Sequence, residues 1–247
     1  MSGHSKWSTI KHKKGALDAK RGRMFTRVIR EITIAARAGG GDPTGNPRLR
    51  TAILSAKEVN MPADNITRAI KKGTGELEGV TMEEVTYEGY GPGGVALLVE
   101  TVTDNKNRTL PEIRHIFAKH GGNMAAANAV AWMFEKKGYF VIESGALPED
   151  KLLDIALEAG AEDMRQDGSS FEIFTPTENF EAVKEALKAK NIAITASEIA
   201  MTPKNTVRTE GPTARRVLSL IDALEEHDDV QHVWANFDID ESELQAS

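Results

Sequence analysis

Cysteine is absent from the 247 residues, and this removes disulfides, thiolate nucleophiles and cysteine-ligated zinc or iron-sulfur sites from consideration. A reducing compartment fits that usage, and the cytoplasm is the expected location. Long apolar runs are also missing: no stretch approaches the roughly 20 residues that a membrane-spanning helix needs, so no membrane partner is expected. A secretory signal would require an apolar core directly after its charges. Here Lys6, Lys11, Lys13, Lys14, Lys20, Arg21 and Arg23 leave no room for one. A basic, amphipathic mitochondrial presequence is not excluded by composition alone. No internal repeat or low-complexity segment is evident. What remains, 40% hydrophobic and 28% charged residues, is the composition of a soluble globular chain long enough for two or three domains.

Charge is unevenly distributed. The net charge is -6, yet residues 1–73 hold 16 Lys and Arg against 5 Asp and Glu, a balance of +11. The remainder holds 15 against 32, or -17. Such asymmetry points to a polyanion-binding head on an acidic body.

Apolar residues at Phe25, Val28, Ile29, Ile32 and Ala36 recur at helical spacing after a polar arm and stop at Gly39-Gly40-Gly41. A second helix starts at Asn46-Pro47, a capping residue followed by proline, and a third follows Met61-Pro62 with Gly73 as its expected stop. The pattern then becomes β-rich. Residues 85–90 and 95–102 flank Gly91-Pro92-Gly93-Gly94 as a hairpin, a helix spans 107–120, and residues 130–134 supply another strand. Beyond Lys136-Lys137-Gly138 the order is strand, helix, strand, strand, helix, strand, the ferredoxin-like pattern. A last helix (212–226) and strand (230–237) are too small for a core of their own and are expected to complete the sheet begun at Val85. The expected fold class is therefore α+β with three domains. These are a basic helical domain (1–76), a middle α+β domain (77–136 plus 205–247), and a ferredoxin-like domain (137–204) inserted into the middle one.

Catalytic chemistry finds little support. Gly89-Tyr90-Gly91-Pro92-Gly93-Gly94 matches G-x-G-x-x-G, but a dinucleotide site needs a helix N-terminus after the glycines, and a β-rich run follows instead. The pairs His115/His120 and His227/His232 are five residues apart, whereas one helix face needs three or four. Glu83-Glu84, Glu225-Glu226 and Asp228-Asp229 lie at element ends and read as solvated charge, and Asp104 and Asn105 read as helix caps. No metal, no cofactor and no catalytic residue is expected, and a metal-dependent hydrolase or nuclease is the remote alternative.

Nucleic-acid binding is better supported. The segment from His4 to Arg30 interleaves Lys6, Trp7, Lys11, His12, Lys13, Lys14, Lys20, Arg21, Arg23, Arg27 and Arg30 with the single acid Asp18. Cations that meet phosphates release condensed counterions, a gain independent of base sequence. On a helix, Lys20, Arg23, Arg27 and Arg30 form one stripe beside the apolar one, able to track a phosphate backbone. Trp7 either stacks on an unpaired base or anchors the arm to the helices. Arg48, Arg50, Arg68, Lys71 and Lys72 extend the candidate surface or are merely solvated. The turn at Met61-Pro62 lacks the glycine of a helix-turn-helix, which tilts recognition toward backbone or shape.

Gly3-His4-Ser5-Lys6-Trp7, Asp18-Ala19-Lys20-Arg21-Gly22-Arg23, Gly39-Gly40-Gly41-Asp42-Pro43 and Asn46-Pro47-Arg48-Leu49-Arg50 closely resemble the YebC/PmpR family. Tyr87-Glu88-Gly89-Tyr90-Gly91-Pro92-Gly93-Gly94, Asn107-Arg108-Thr109, Gly121-Gly122-Asn123 and Glu158-Ala159-Gly160-Ala161-Glu162-Asp163 continue the likeness over essentially the whole chain. The resemblance implies three domains and a non-enzymatic regulator of gene expression. Its members are widely described as probable transcriptional regulators that bind promoter DNA. Others act in translation, among them a mitochondrial activator of a cytochrome oxidase subunit and factors for ribosomes stalled at proline runs. Promoter DNA and ribosomal RNA, with the transcription machinery or the ribosome, are thus the implied partners, and the oligomeric state stays open.

Overall fold

The computed structural model describes residues 17–79, 81–145 and 147–239, the first five of these as backbone only. Three helices form the head: α1 (Leu17–Gly39), α2 (Pro47–Glu58) and α3 (Ala63–Thr74). Asn46 closes the first corner. Its Oδ1 accepts from the Leu49 N–H at 3.1 Å, capping α2, while its Nδ2 donates to the carbonyls of Ala35 (2.7 Å) and Gly40 (2.9 Å) at the end of α1. The core is built from small and branched residues, Ile32, Ala35, Ala36, Leu49, Ala52, Ala56, Ile66 and Ala69. Gly73 does not stop α3 as expected. It lies inside the helix, where a Cβ would sit 2.4 Å from the Thr33 carbonyl oxygen, so it is the point at which α3 touches α1. The helix ends at Gly75, in the left-handed conformation at φ 82°.

The middle unit is an antiparallel sheet of order β3-β1-β2-β9, made of β1 (Glu83–Tyr90), β2 (Ala96–Thr103), β3 (Asn123–Met124) and β9 (Val230–Ala235). As expected, β1 and β2 form a hairpin around the glycine run, and β9 returns from the far end of the chain to pair with β2. Helices α4 (Lys106–Lys119) and α7 (Gly211–Glu225) cover one face through Ile113, Phe117, Val217, Leu220, Ile221 and Leu224. A short parallel pair, β8 (Val207–Arg208) with β10 (Phe237–Asp238), was not anticipated from the sequence. Two-residue ladders carry no periodicity to read.

The inserted unit is ferredoxin-like: β4 (Phe134–Glu143), α5 (Glu149–Glu158), β5 (Asp163–Asp167), β6 (Ser170–Thr175), α6 (Phe180–Ala189) and β7 (Ile194–Pro203), in sheet order β5-β6-β4-β7. One correction concerns its first strand. Residues 131–133 form a 3-10 turn, and β4 runs unbroken from Phe134, opposite Pro203, to Glu143. Gly138, read from the sequence as loop, is in the strand because a Cβ there would lie 2.5 Å from Thr175 Cγ2 and 2.7 Å from the Phe180 ring.

The second face of the middle sheet meets the inserted sheet. Ala96, Leu98 and Trp234 pack with Phe134, Tyr139, Val141, Phe174 and Ala200. Burial on both faces explains why 96–99 reads Ala-Leu-Leu-Val without alternation.

Candidate nucleic-acid interface

Of the predicted contact residues, Lys6, Trp7, Lys11, His12, Lys13 and Lys14 lie outside the described residues, as do the side chains of Lys20 and Arg21. The rest divide into two groups, one turned inward to the body and one left exposed.

The inward group is the stripe on α1. Arg23 Nη1 lies 3.5 Å from Glu226 Oε1. Arg27 donates to the carbonyl of Glu225, and Arg30 donates to the carbonyl of Asp228 and pairs with Asp229 Oδ1 at 3.0 Å. These acceptors lie at the end of α7 and in the turn that follows, where carbonyl oxygens carry the negative end of the helix dipole. Burial pushes the Arg27 guanidinium down from its ordinary value, while the charge of Glu225 acts in the other direction. Arg48 is exposed but also paired: its Nε and Nη2 reach Glu31 at 2.6 and 2.9 Å, and Nη2 and Nη1 reach Glu84 at 2.5 and 3.2 Å. Those hydrogen bonds hold its proton above the ordinary range. Arg37, not singled out in the sequence, donates to the Met82 carbonyl at 3.0 Å.

Asp229 anchors this junction. Its side chain is only 2% exposed, and Oδ2 accepts from Thr109 (2.6 Å), Arg108 (2.8 Å) and Thr103 (3.0 Å). Burial opposes its ionisation, yet these donors and the charge of Arg30 hold the carboxyl below the usual carboxylate value. The sequence reading of Asp228-Asp229 as solvated charge is therefore corrected for Asp229, whose donors come from β2, α4 and α1 and leave no local trace. Asn105 does cap α4, accepting from the N–H groups of Asn107 and Arg108. His227 holds the turn, with Nδ1 accepting from the Asp229 N–H at 3.1 Å and Nε2 2.9 Å from Glu112.

The exposed group comprises Arg50, Arg68, Lys71 and Lys72, joined by Lys57, which the sequence reading did not name. Arg68, Lys71 and Lys72 share one face of α3 by their three- and four-residue spacing and make no ion pair or side-chain hydrogen bond among the described residues. Among the described residues Arg50 reaches only the Pro43 carbonyl, at 3.3 Å.

Elsewhere, a cleft of about 560 Å³ beside β5 and β6 is lined by Lys137, Arg165, Glu172 and Lys204. Lys137 and Arg165 are already neutralised, by Glu162 and Asp163, each at 2.7 Å. Trp132, 63% exposed, rides on a turn clamped by buried Glu88, which accepts from the N–H groups of Asn128, Val130 and Ala131 at 2.5, 2.7 and 2.9 Å. The glycine run lies in the β1–β2 hairpin, with β2 after it. Among the described residues no group of three or more His, Asp and Glu has the geometry of a metal site, and no helix is long and apolar enough to cross a membrane.

Comparison with known proteins agrees with this architecture. The TACO1/YebC N-terminal domain matches residues 5–76, and the second and third domain of the same family match residues 82–237. A protein of Desulfosudis oleivorans named "Probable transcriptional regulatory protein" is 58% identical, with 98% of each chain covered. One of the same description from Desulfotalea psychrophila is 60% identical, covering 98% of this chain and 97% of its own. A crystal structure of a conserved hypothetical protein from Aquifex aeolicus superimposes with a TM-score of 0.82 at 51% identity, over 94% of this chain and 96% of that one. The three-helix head falls within the first of these matches and the two α+β units within the second, and the chain belongs to the TACO1/YebC family.

Proposed function

We propose that this protein is a non-enzymatic, cytoplasmic regulator of gene expression that grips nucleic acid by its phosphates through the helical head. The observation that carries this reading is the face of α3 bearing Arg68, Lys71 and Lys72, exposed and without anionic partners among the described residues, in a molecule whose net charge is -6. Unpaired cations on a net acidic protein keep their hydration and counterions until a polyanion releases them. Arg50 and Lys57 extend the surface on α2, and the basic arm that carries Lys6, Lys11, Lys13 and Lys14 enters from the other end of the head sequence. The relatives' names, probable transcriptional regulatory proteins, favour regulation of transcription, and duplex DNA is the first target to test. Ribosomal RNA is the second, since phosphate contacts carry no base sequence.

Replacing Arg68, Lys71 and Lys72 together by Gln in the full chain tests the reading. Affinity for a 30-base-pair duplex and for a stem-loop RNA should fall about 10- to 100-fold at moderate salt. The slope of log affinity against log salt should become shallower by about two to three units. Unchanged affinity and slope on both probes would overturn the proposal.

A further inference from the structure

The arginine stripe of α1 satisfies the physical description of a phosphate-binding face, and in the structure it is occupied by the protein's own α7 terminus. That terminus is unusual. Helix C-termini favour cations, yet the last turn of α7 holds no basic residue and is followed by Glu226, Asp228 and Asp229. Acids there add to the negative end of the dipole, a local conflict relieved at Asp229 by Arg108, Thr103 and Thr109 and, along the rest of the terminus, by guanidinium groups arriving from α1. Two carbonyl and two carboxylate acceptors meet three arginines, the same arrangement of anionic oxygens and forked donors that binds a phosphate backbone.

The contact is also of a kind that opens. Among the described residues no apolar cluster contains residues of both head and body: the head's cluster is confined to residues between Phe25 and Ile70, and the other three contain no head residue. The ion pairs that cross the junction include exposed partners. Glu226 is 67% exposed and Arg23 36%, so water and salt compete for them. A polyanion presenting many phosphates competes for the same donors.

Resting on the function proposed above, we infer that this is a closed form, in which the end of α7 and the arginines Arg23, Arg27 and Arg30 block one another, and that nucleic-acid phosphates take the arginine face only when head and body part. The exposed face on α3 makes the first contact, and displacement of the α7 end adds the second.

The absence of native cysteine makes the test clean. In the full-length double variant Arg23→Cys/Glu226→Cys, a short bismaleimide bridges the two thiols and holds the junction shut. The reference is the same variant with both thiols capped singly. A control bridge in Glu185→Cys/Lys188→Cys, a surface pair on α6 in the inserted unit, reports any nonspecific effect of the reagent. The probes are the 30-base-pair duplex and the stem-loop RNA, titrated at several salt concentrations. The bridged junction should bind at least 10-fold more weakly than the capped form, with a salt slope shallower by about two units, and the control bridge should leave binding unchanged. Equal affinity of bridged and capped forms, or an equal loss in the control, would overturn the closed form and leave the proposed function standing. No binding by either form would overturn both.

Discussion

Two junctions hold the three units together, and their chemistries are opposite. Between the middle and inserted sheets, Ala96, Leu98 and Trp234 interdigitate with Tyr139, Val141, Phe174 and Ala200 in a shared apolar core. Between head and body the links are arginines on carbonyls and carboxylates, with Arg48 bridging Glu31 and Glu84 as a second fastening. Burial of apolar surface yields a permanent joint, because parting it exposes every contact to water at once. An exposed pair such as Arg23–Glu226 contributes little and can be exchanged for other anions, whereas the buried Arg30–Asp229 pair is the anchor of this junction. The middle and inserted units therefore share one apolar core, whereas the described links between head and body are polar.

The largest expected effect comes from breaking the apolar joint. Trp234→Ala removes a side chain that is 4% exposed at the centre of the shared core and should cost about 4 kcal/mol in urea unfolding. The two sheet units should then melt apart, with the head unaffected. A loss below about 1 kcal/mol would mean that the units are independent already.

Next is the anchor of the polar joint. Asp229→Ala strands Arg30, Arg108, Thr103 and Thr109 without their shared acceptor, at a cost of about 3 kcal/mol. The folded carboxyl lies below its ordinary value, so its contribution is present above the unfolded value of about 4 and is lost as pH falls through the depressed one. The parent should lose stability in acid across that window more steeply than the variant, and parallel curves would contradict the assignment.

A smaller effect of opposite sign belongs to Glu198 on β7. Burial, and then the charge of Glu225, push its carboxyl up to about 7 from an ordinary 4.5. The folded chain binds this proton more tightly than the unfolded one, so stability declines as pH rises from about 4.5 through about 7. Glu198→Gln should match the parent at pH 4 and exceed it by about 2 kcal/mol at pH 8, after discounting for solvent at this partly exposed site. Thermal melting across that range checks it, and a difference independent of pH would refute it.

Much of the fold was legible in the residues. Asn46-Pro47 announces α2 because a capping amide and a proline act within one turn, and the β-α-β-β-α-β order is carried by local periodicity. Gly73 misled because a glycine needed for close helix contact resembles one that ends a helix. The unbroken β4 was missed because Gly138 is demanded by Phe180 and Thr175, residues far along the chain. The basic head was legible as a composition, but the fate of each cation was not. Arg27 and Arg68 are both arginines on amphipathic helices with nothing nearby in sequence to separate them. Arg27 meets a carbonyl 198 residues away, and Arg68 meets solvent.

The sequence by itself determined most of the helices and longer strands, their order, the α+β class and the concentration of positive charge at one end, since caps, periods and charge counts are properties of neighbouring residues. Only the tertiary structure decided which arginines are held by carbonyls and carboxylates, which stay exposed, and which joint is apolar and which ionic. Availability of a charge depends on the atoms within a few ångströms of it, and the fold draws those atoms from anywhere in the chain.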